Sequence, residues 1–390
     1  MNGAAMPTAR PGLRRGAPIV DGPTVMLTAA IVLLGLIMVT SASISLAGRN
    51  GEPFAFLERQ LTLAVVGTML AALTFCIPTE TLQKYSLPLM LAAAALLLAV
   101  LVPGLGHVVN GSRRWLQLAG MSFQVSELAR VCTLIYVAGY AVRYEEALRA
   151  GLGGLGRPLG LLGLMALLLL GEPDFGAASV LFVTGFGLLF LAGARLRWVF
   201  VMLLAAIGTM TLLVLFSSYR MQRFTAFLNP WADPFKGGFQ LTQSLIAIGR
   251  GAWFGVGLGD SVQKLFYLPE AHTDFLFAVL AEELGLAGVV VTLGLFLGLT
   301  WRAFLIARRA YDVGLKFPSY LASGFGLWLG VQAFINIGVN MGVLPTKGLT
   351  LPLMSYGRSS LVVTLAWLGI VLRVNHEAVH GTRRALRGEA

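Results

Sequence analysis

Apolar stretches long enough to cross roughly 30 Å of hydrocarbon, which takes about 20 helical residues each, recur along this chain from end to end. They fall at 24–46, 61–78, 86–103, 126–142, 158–171, 176–192, 197–216, 275–300, 319–342 and 351–373, with polar or Gly/Pro breaks between them. Of the 390 residues, 57% are apolar and only 12% charged, which is too apolar for folding around one water-soluble core. The pattern predicts an all-α polytopic membrane protein with about ten transmembrane helices and a large extracytoplasmic loop between helices 7 and 8. The fifth and sixth stretches are short, and the Glu172-Pro173-Asp174 break between them can also lie within the membrane.

Arg10, Arg14 and Arg15 precede the first stretch, which is too long for a signal peptide and is read as a retained helix. An even number of helices puts both termini on one side. The larger share of Lys and Arg falls on that side, which makes it the cytoplasm. The expected organisation is a cytoplasmic tail over 1–23, a membrane domain over 24–373 with its long outer loop at 217–274, and a cytoplasmic tail over 374–390.

The net charge of +11 is then mainly a topology signal. No basic tract interleaved with aromatics argues for nucleic acid as a partner. Cys76 and Cys132 fall in different helices and are read as packing residues rather than a disulfide or a metal site.

Two outward segments collect the polar chemistry. Pro103 to Gln124 carries Arg113, Arg114 and Trp115. An Arg pair beside Trp suits either an interfacial anchor or a site for anionic headgroups. Just beyond, Glu127 and Arg130 stand at i, i+3 at the start of the fourth helix, where they can neutralise one another as a structural or a functional pair. The second segment, 217–274, is too long for a mere connection. It holds Arg220, Arg223, an amide-rich stretch from Gln240, glycines between Gly249 and Gly259 around Arg250, and Asp274 at the outer mouth of the eighth helix. Residues 240–250 fit a short amphipathic helix at the membrane surface.

Asp274 reads as an N-terminal helix carboxylate or as a general base. Glu282 and Glu283 lie too far along the same helix to pair with it, and they call for partners inside the bundle, Arg358 being one candidate. Gln332, Asn336 and Asn340 form an amide stripe fit for interhelical hydrogen bonds or substrate contact. Lys347, in the loop that follows, is placed to meet a phosphate. One histidine with flanking carboxylates at 270–274 lacks a zinc ligand set, so no metal site is expected.

At Asn229-Pro230-Trp231 with Asp233-Pro234, at Gly249 to Asp274 and at Gly342 to Ser360 the chain resembles the SEDS family, named for shape, elongation, division and sporulation. The resemblance extends through essentially all ten stretches. At Leu344 to Pro352 it is closer to the division members than to the elongation members. It implies a peptidoglycan glycosyltransferase of the inner membrane, at the division septum, that polymerises lipid II beside a class B penicillin-binding protein and other divisome membrane proteins. It also implies Asp274 as the essential loop aspartate and Trp115 as a functionally important tryptophan. Arg113, Arg114, Arg223, Arg250 and Lys347 are then candidates for the pyrophosphate, with Glu127 and Arg130 shaping the cavity floor. No cofactor is required, although a divalent cation can assist the pyrophosphate. A lipid II flippase and a non-catalytic divisome scaffold are the competing readings. One position departs from the family pattern, since Arg358 stands where a second Gly is usual.

Overall fold

The computed structural model describes residues 20–48, 51–109, 112–118, 121–216, 218–234 and 237–387. In chain order, α1 (Gly22–Gly48), α2 (Ala55–Cys76), the short α3 (Thr79–Lys84) and α4 (Ser86–Leu101) lead to three strands: β1 (Gly106–Val109), β2 (Ser112–Leu118) and β3 (Met121–Gln124). There follow α5 (Val125–Arg143), the short α6 (Glu145–Ala150), α7 (Leu152–Gly171), α8 (Phe175–Leu191), α9 (Leu196–Leu215) and α10 (Ser218–Leu228). A 3-10 turn at Pro230–Ala232 precedes α11 (Phe239–Gly251), α12 (Leu276–Asp312), α13 (Lys316–Asn340) and α14 (Arg358–Arg387).

Each of the ten expected stretches is helical. Helices α1, α2, α5, α7, α12, α13 and α14 are long and apolar enough to cross a membrane, α4 and α8 are shorter apolar helices, and α9 is a further helix of 20 residues. The chain is an all-α, multi-pass membrane protein, with one addition that the hydropathy pattern did not show. The outward segment before α5 is a three-stranded antiparallel sheet in the order β1-β2-β3, with Trp115 opposite His107 on one side and Gln124 on the other.

Helices α5 and α13 form the largely buried centre, and the lipid-facing helices surround them. Hydrocarbon offers no hydrophobic drive between helices, so contact depends on close backbone approach and interhelical hydrogen bonds. The α2–α14 pair uses both. A Cβ on Gly369 would stand 2.2 Å from the Ala71 carbonyl oxygen, and Thr74 Oγ1 donates to the Ala366 carbonyl at 2.8 Å.

Helix α12 is broken at Gly285 (φ 65°, ψ −163°). The loop after α11 repairs the break. Val256 N and Gly257 N donate to the carbonyls of Glu282 and Glu283, while Leu286 N and Ala287 N donate to those of Ala252 and Trp253. The loop backbone thus supplies partners that a buried helix end would lack. At the opposite end of α12, Arg302 and Arg309 pair with Asp21, which caps α1, and Arg309 donates to Asn375 of α14. The start of α1 and the late turns of α14 therefore share one face, and Asp274 belongs to the other.

Candidate active site

The outer face is organised by the amide stripe of α13. Asn336 and Asn340 both donate to the main-chain carbonyl of Asp274, at 2.9 and 3.1 Å. Asn336 also holds the carbonyl of Leu349, and Gln332 that of Thr350 at 3.0 Å. Asn340 Oδ1 accepts from Ala278 N at 3.2 Å, satisfying one orphan donor at the start of α12. Of the two readings of this stripe, interhelical bonding is the nearer, but its targets are loop carbonyls. It fixes the 274 and 347–350 segments against each other.

Asp274 lies one residue outside the helix, whose N-cap is Phe275 with no side-chain cap bond. Its carboxylate sits over Gly348, where a Cβ would be 3.0 Å from Asp274 Oδ2. Both residues retain exposure to the outside. The neighbouring Lys347 donates to Ser179 Oγ at 3.2 Å and lies 4.9 Å from the centroid of the Phe175 ring. Burial pushes its ammonium down to about 8.

Beneath this loop, Arg130 is almost fully buried, paired with Glu127, and donates to Gln332 Oε1 at 2.7 Å. Its guanidinium lies 5.8 Å from the Trp328 ring centroid. The pair is thus one residue removed from the Thr350 carbonyl that Gln332 holds. Two buried charges of opposite sign tolerate this position because they neutralise one another and Arg130 has Gln332 as a further acceptor.

The remaining candidate cations are more committed than the sequence suggested. Arg114 binds the carbonyls of Glu172 and Pro173, at 3.1 and 2.6 Å, and lies 3.9 Å from Asp174. It docks the sheet onto the α7–α8 turn. Arg113 donates to the Leu101 carbonyl at 3.1 Å, and Trp115 beside it is half-buried. Arg250 pairs with Glu282 at 3.1 Å, with its side chain still 44% exposed. Arg223 lies on α10, and its side chain is outside the described residues.

This corrects the pairing of Arg358 with Glu282. Glu282 is fully buried and is satisfied by Arg250, Ser261 Oγ and the main-chain nitrogens of Val262 and Gln263. Arg358 is exposed at the start of α14 and reaches Ser122 Oγ at 3.4 Å. Glu283 is held by Lys264 at 2.8 Å and by Ser41.

Sequence reasoning passed over Lys264, Asp174 and Glu172. Asp174 caps α8 through Ala177 N at 3.0 Å, a role that an Asp before an apolar run signals. Glu172 is fully buried with both carboxylate oxygens unpartnered. Burial, with the Asp174 charge adding to it against Arg114, pushes its carboxyl up to about 8. Among the described residues no three His, Cys, Asp or Glu side chains gather as a metal site.

Fold and site together define a multi-pass membrane protein with a partly exposed carboxylate on a clamped loop, beside buried cations. The FtsW/RodA/SpoVE family of cell cycle proteins matches residues 23–380, and the chain belongs to that family. It is 55% identical over 352 residues to a probable peptidoglycan glycosyltransferase FtsW of Thioalkalivibrio sulfidiphilus, covering 90% of this chain and 88% of that one. It is 52% identical over 359 residues to the protein of the same name in Coxiella burnetii, covering 92% and 96%. Among solved structures, a chain from work on structural coordination of polymerization and crosslinking by a peptidoglycan synthase complex superposes with a TM-score of 0.76. It shares 34% identity over 92% of this chain and 98% of its own. The rod shape determining protein RodA of Thermus thermophilus gives a TM-score of 0.66 at 32% identity, over 92% of this chain and 97% of its own.

Proposed function

We propose that this protein is a peptidoglycan glycosyltransferase of the FtsW type, polymerising lipid II into glycan strands for septal cell-wall synthesis, with Asp274 as general base. The carrying observation is the Asp274 carboxylate over Gly348, the chain neighbour of Lys347, with the Asp274 carbonyl clamped by Asn336 and Asn340.

Asp274 takes the proton from the 4-hydroxyl of the acceptor sugar as that oxygen attacks the donor's anomeric carbon. The bond from that carbon to the pyrophosphate oxygen breaks, and undecaprenyl pyrophosphate leaves from the opposite face. Inversion converts the α-linked donor into a β-linked strand. Negative charge grows on the leaving pyrophosphate, and Lys347, next in the chain to the Gly348 that the Asp274 carboxylate overlies, is the cation placed to meet it. Arg130 and Glu127 set the floor through Gln332. Arg113, Arg114 and Trp115 fix the sheet that walls the site, and Arg250 and Arg223 lie on the outer segment where a lipid headgroup arrives. A divalent cation, if the substrate brings one, would add charge neutralisation at the same pyrophosphate.

On this reading the chain crosses the membrane ten times with both termini inside and resides at the septum, the excess of Lys and Arg on the side of the termini supporting that orientation. The likeness to a synthase complex that joins polymerization to crosslinking supports a class B penicillin-binding protein as partner, beside other divisome membrane proteins.

The test is polymerisation of purified lipid II by the complex with a transpeptidase that has no glycosyltransferase activity of its own. Asp274→Asn is expected to lower the rate by about 10²–10⁴-fold with folding intact. A flippase or scaffold needs no base, and normal strands from Asp274→Asn would exclude the mechanism.

A further inference from the structure

Three buried polar atoms on the α2–α14 side of the Asp274 loop have no hydrogen-bond partner among the described residues: Gln60 Oε1, Tyr356 Oη and Ser360 Oγ. Their residues are 1%, 7% and 7% exposed. Gln60 is fixed by its amide nitrogen, which donates to the Ser355 carbonyl at 3.2 Å. Tyr356 is fixed by its ring, 5.0 Å from that of Phe56, and by its main-chain nitrogen, which donates to His272 at 3.0 Å. Ser360 lies beside Gly357, where a Cβ would stand 3.3 Å from Ser360 Cβ and 3.7 Å from Thr350 Cγ2. Thr350 is the residue whose carbonyl Gln332 clamps, so these atoms adjoin the site already described.

Arg358 stands on the same segment, exposed and paired with no carboxylate among the described residues, and the first turn of α14 is free of acidic residues. A cation at a helix N-terminus opposes the helix dipole. Buried hydroxyls and an amide oxygen without partners are costly in the same way. One ligand chemistry relieves all of these. A phosphate accepts from Arg358 and from the Tyr356 and Ser360 hydroxyls, whereas Gln60 Oε1 only accepts and needs a sugar hydroxyl or an acetamido N–H.

We propose that Gln60, Tyr356, Arg358 and Ser360 form a sugar-phosphate subsite on the α2–α14 side of Asp274, distinct from Lys347 on the α8 side, an assignment that rests on the glycosyl-transfer reading above. With one phosphate group held on each side of Asp274, donor and acceptor lipids are seated together across the base.

The test uses the full chain carrying Asp274→Asn, which removes the base so that binding is read without turnover, in complex with its transpeptidase and a fluorescent lipid-pyrophosphate monosaccharide. Arg358→Gly is expected to weaken binding about tenfold, Arg358→Lys much less, and Ser360→Ala about threefold, with unchanged thermal unfolding. Equal binding with and without Arg358→Gly in that background overturns the proposal. So does loss of their difference in excess phosphatidylglycerol, which would assign Arg358 to bulk lipid headgroups. Polymerisation of lipid II is scored separately. Arg358-dependent binding without polymerisation by wild type would sink the glycosyl-transfer reading and leave the subsite, while polymerisation without Arg358-dependent binding would do the reverse.

Discussion

Beneath the Asp274 carboxylate is Gly348, with space for a hydrogen and little more. Gly348→Ala places a methyl group 3.0 Å from Asp274 Oδ2, so the carboxylate must give way by a few tenths of an ångström. Base catalysis depends on position at the ångström scale. Gly348→Ala is expected to lower kcat for lipid II polymerisation by about tenfold or more while leaving the melting temperature unchanged, because residue 348 is exposed. An unchanged kcat would remove the seat over Gly348 from the mechanism. Lys347 supplies a pH test. Its ammonium is pushed down from 10.5 to about 8 by burial, so the cation is present below that pH and lost above it. The kcat/KM profile should fall as pH rises through about 8, and Lys347→Arg should carry the plateau to higher pH because guanidinium does not titrate there. For folding the sign is opposite: between about 8 and 10.5 the unfolded chain holds the proton that the folded chain has lost, so stability rises across that window. The amide stripe was legible in the sequence because residue type and spacing carried it, whereas Asp274 was singled out only by the family resemblance. The duties of Arg113 and Arg114 were not legible, because their partners are main-chain carbonyls of distant turns.

At the scale of elements, the break in α12 is the feature that shapes the outer face. Hydropathy predicts one uninterrupted helix, since Gly285 sits in an otherwise helical run. The break exists because residues 252–257 insert their backbone there, and contacts between positions about 30 apart in the chain leave no periodic trace. A Cβ on Gly255, itself at φ +80°, would meet the Glu283 carbonyl oxygen at 2.0 Å, so the two segments fit only without side chains. The amphipathic stretch at 240–250 was readable and is α11. The sheet was not legible in the sequence, where 103–124 stands out only as a polar outward segment between apolar stretches. The inserted loop is anchored by Lys264 between Glu283 and Ser41. Lys264→Met leaves the Glu283 charge buried with only a hydroxyl partner and is expected to cost about 3–5 kcal/mol, measured as a lower unfolding midpoint in detergent. Adding Glu283→Met removes the stranded charge and should recover most of that loss. A double variant as unstable as the single one would show that packing, and not charge pairing, holds the loop.

At the scale of the whole molecule, α12 is two helical pieces joined at Gly285, and the piece after the break, about 40 Å long at 1.5 Å per residue, is enough by itself to cross roughly 30 Å of hydrocarbon. The turns before the break belong to the layer where the inserted loop, the sheet and the 341–357 segment build the site. At the other end the Asp21, Arg302, Arg309 and Asn375 cluster binds the beginnings and ends of three helices into one face. The orientation proposed from the Lys/Arg distribution puts that face in the cytoplasm, and labelling tests it. Asp260 and Asp312 are both exposed and lie toward opposite ends of the molecule, in the loop inserted at the break of α12 and at that helix's C-terminus. In a Cys76→Ser background, which removes the exposed native thiol, Asp260→Cys should react with an impermeant maleimide added to intact spheroplasts. Asp312→Cys should react only after lysis. The reverse pattern would turn Asp274 toward the cytoplasm, where strands destined for the wall cannot be assembled, so orientation and chemistry stand or fall on the same pair of thiols.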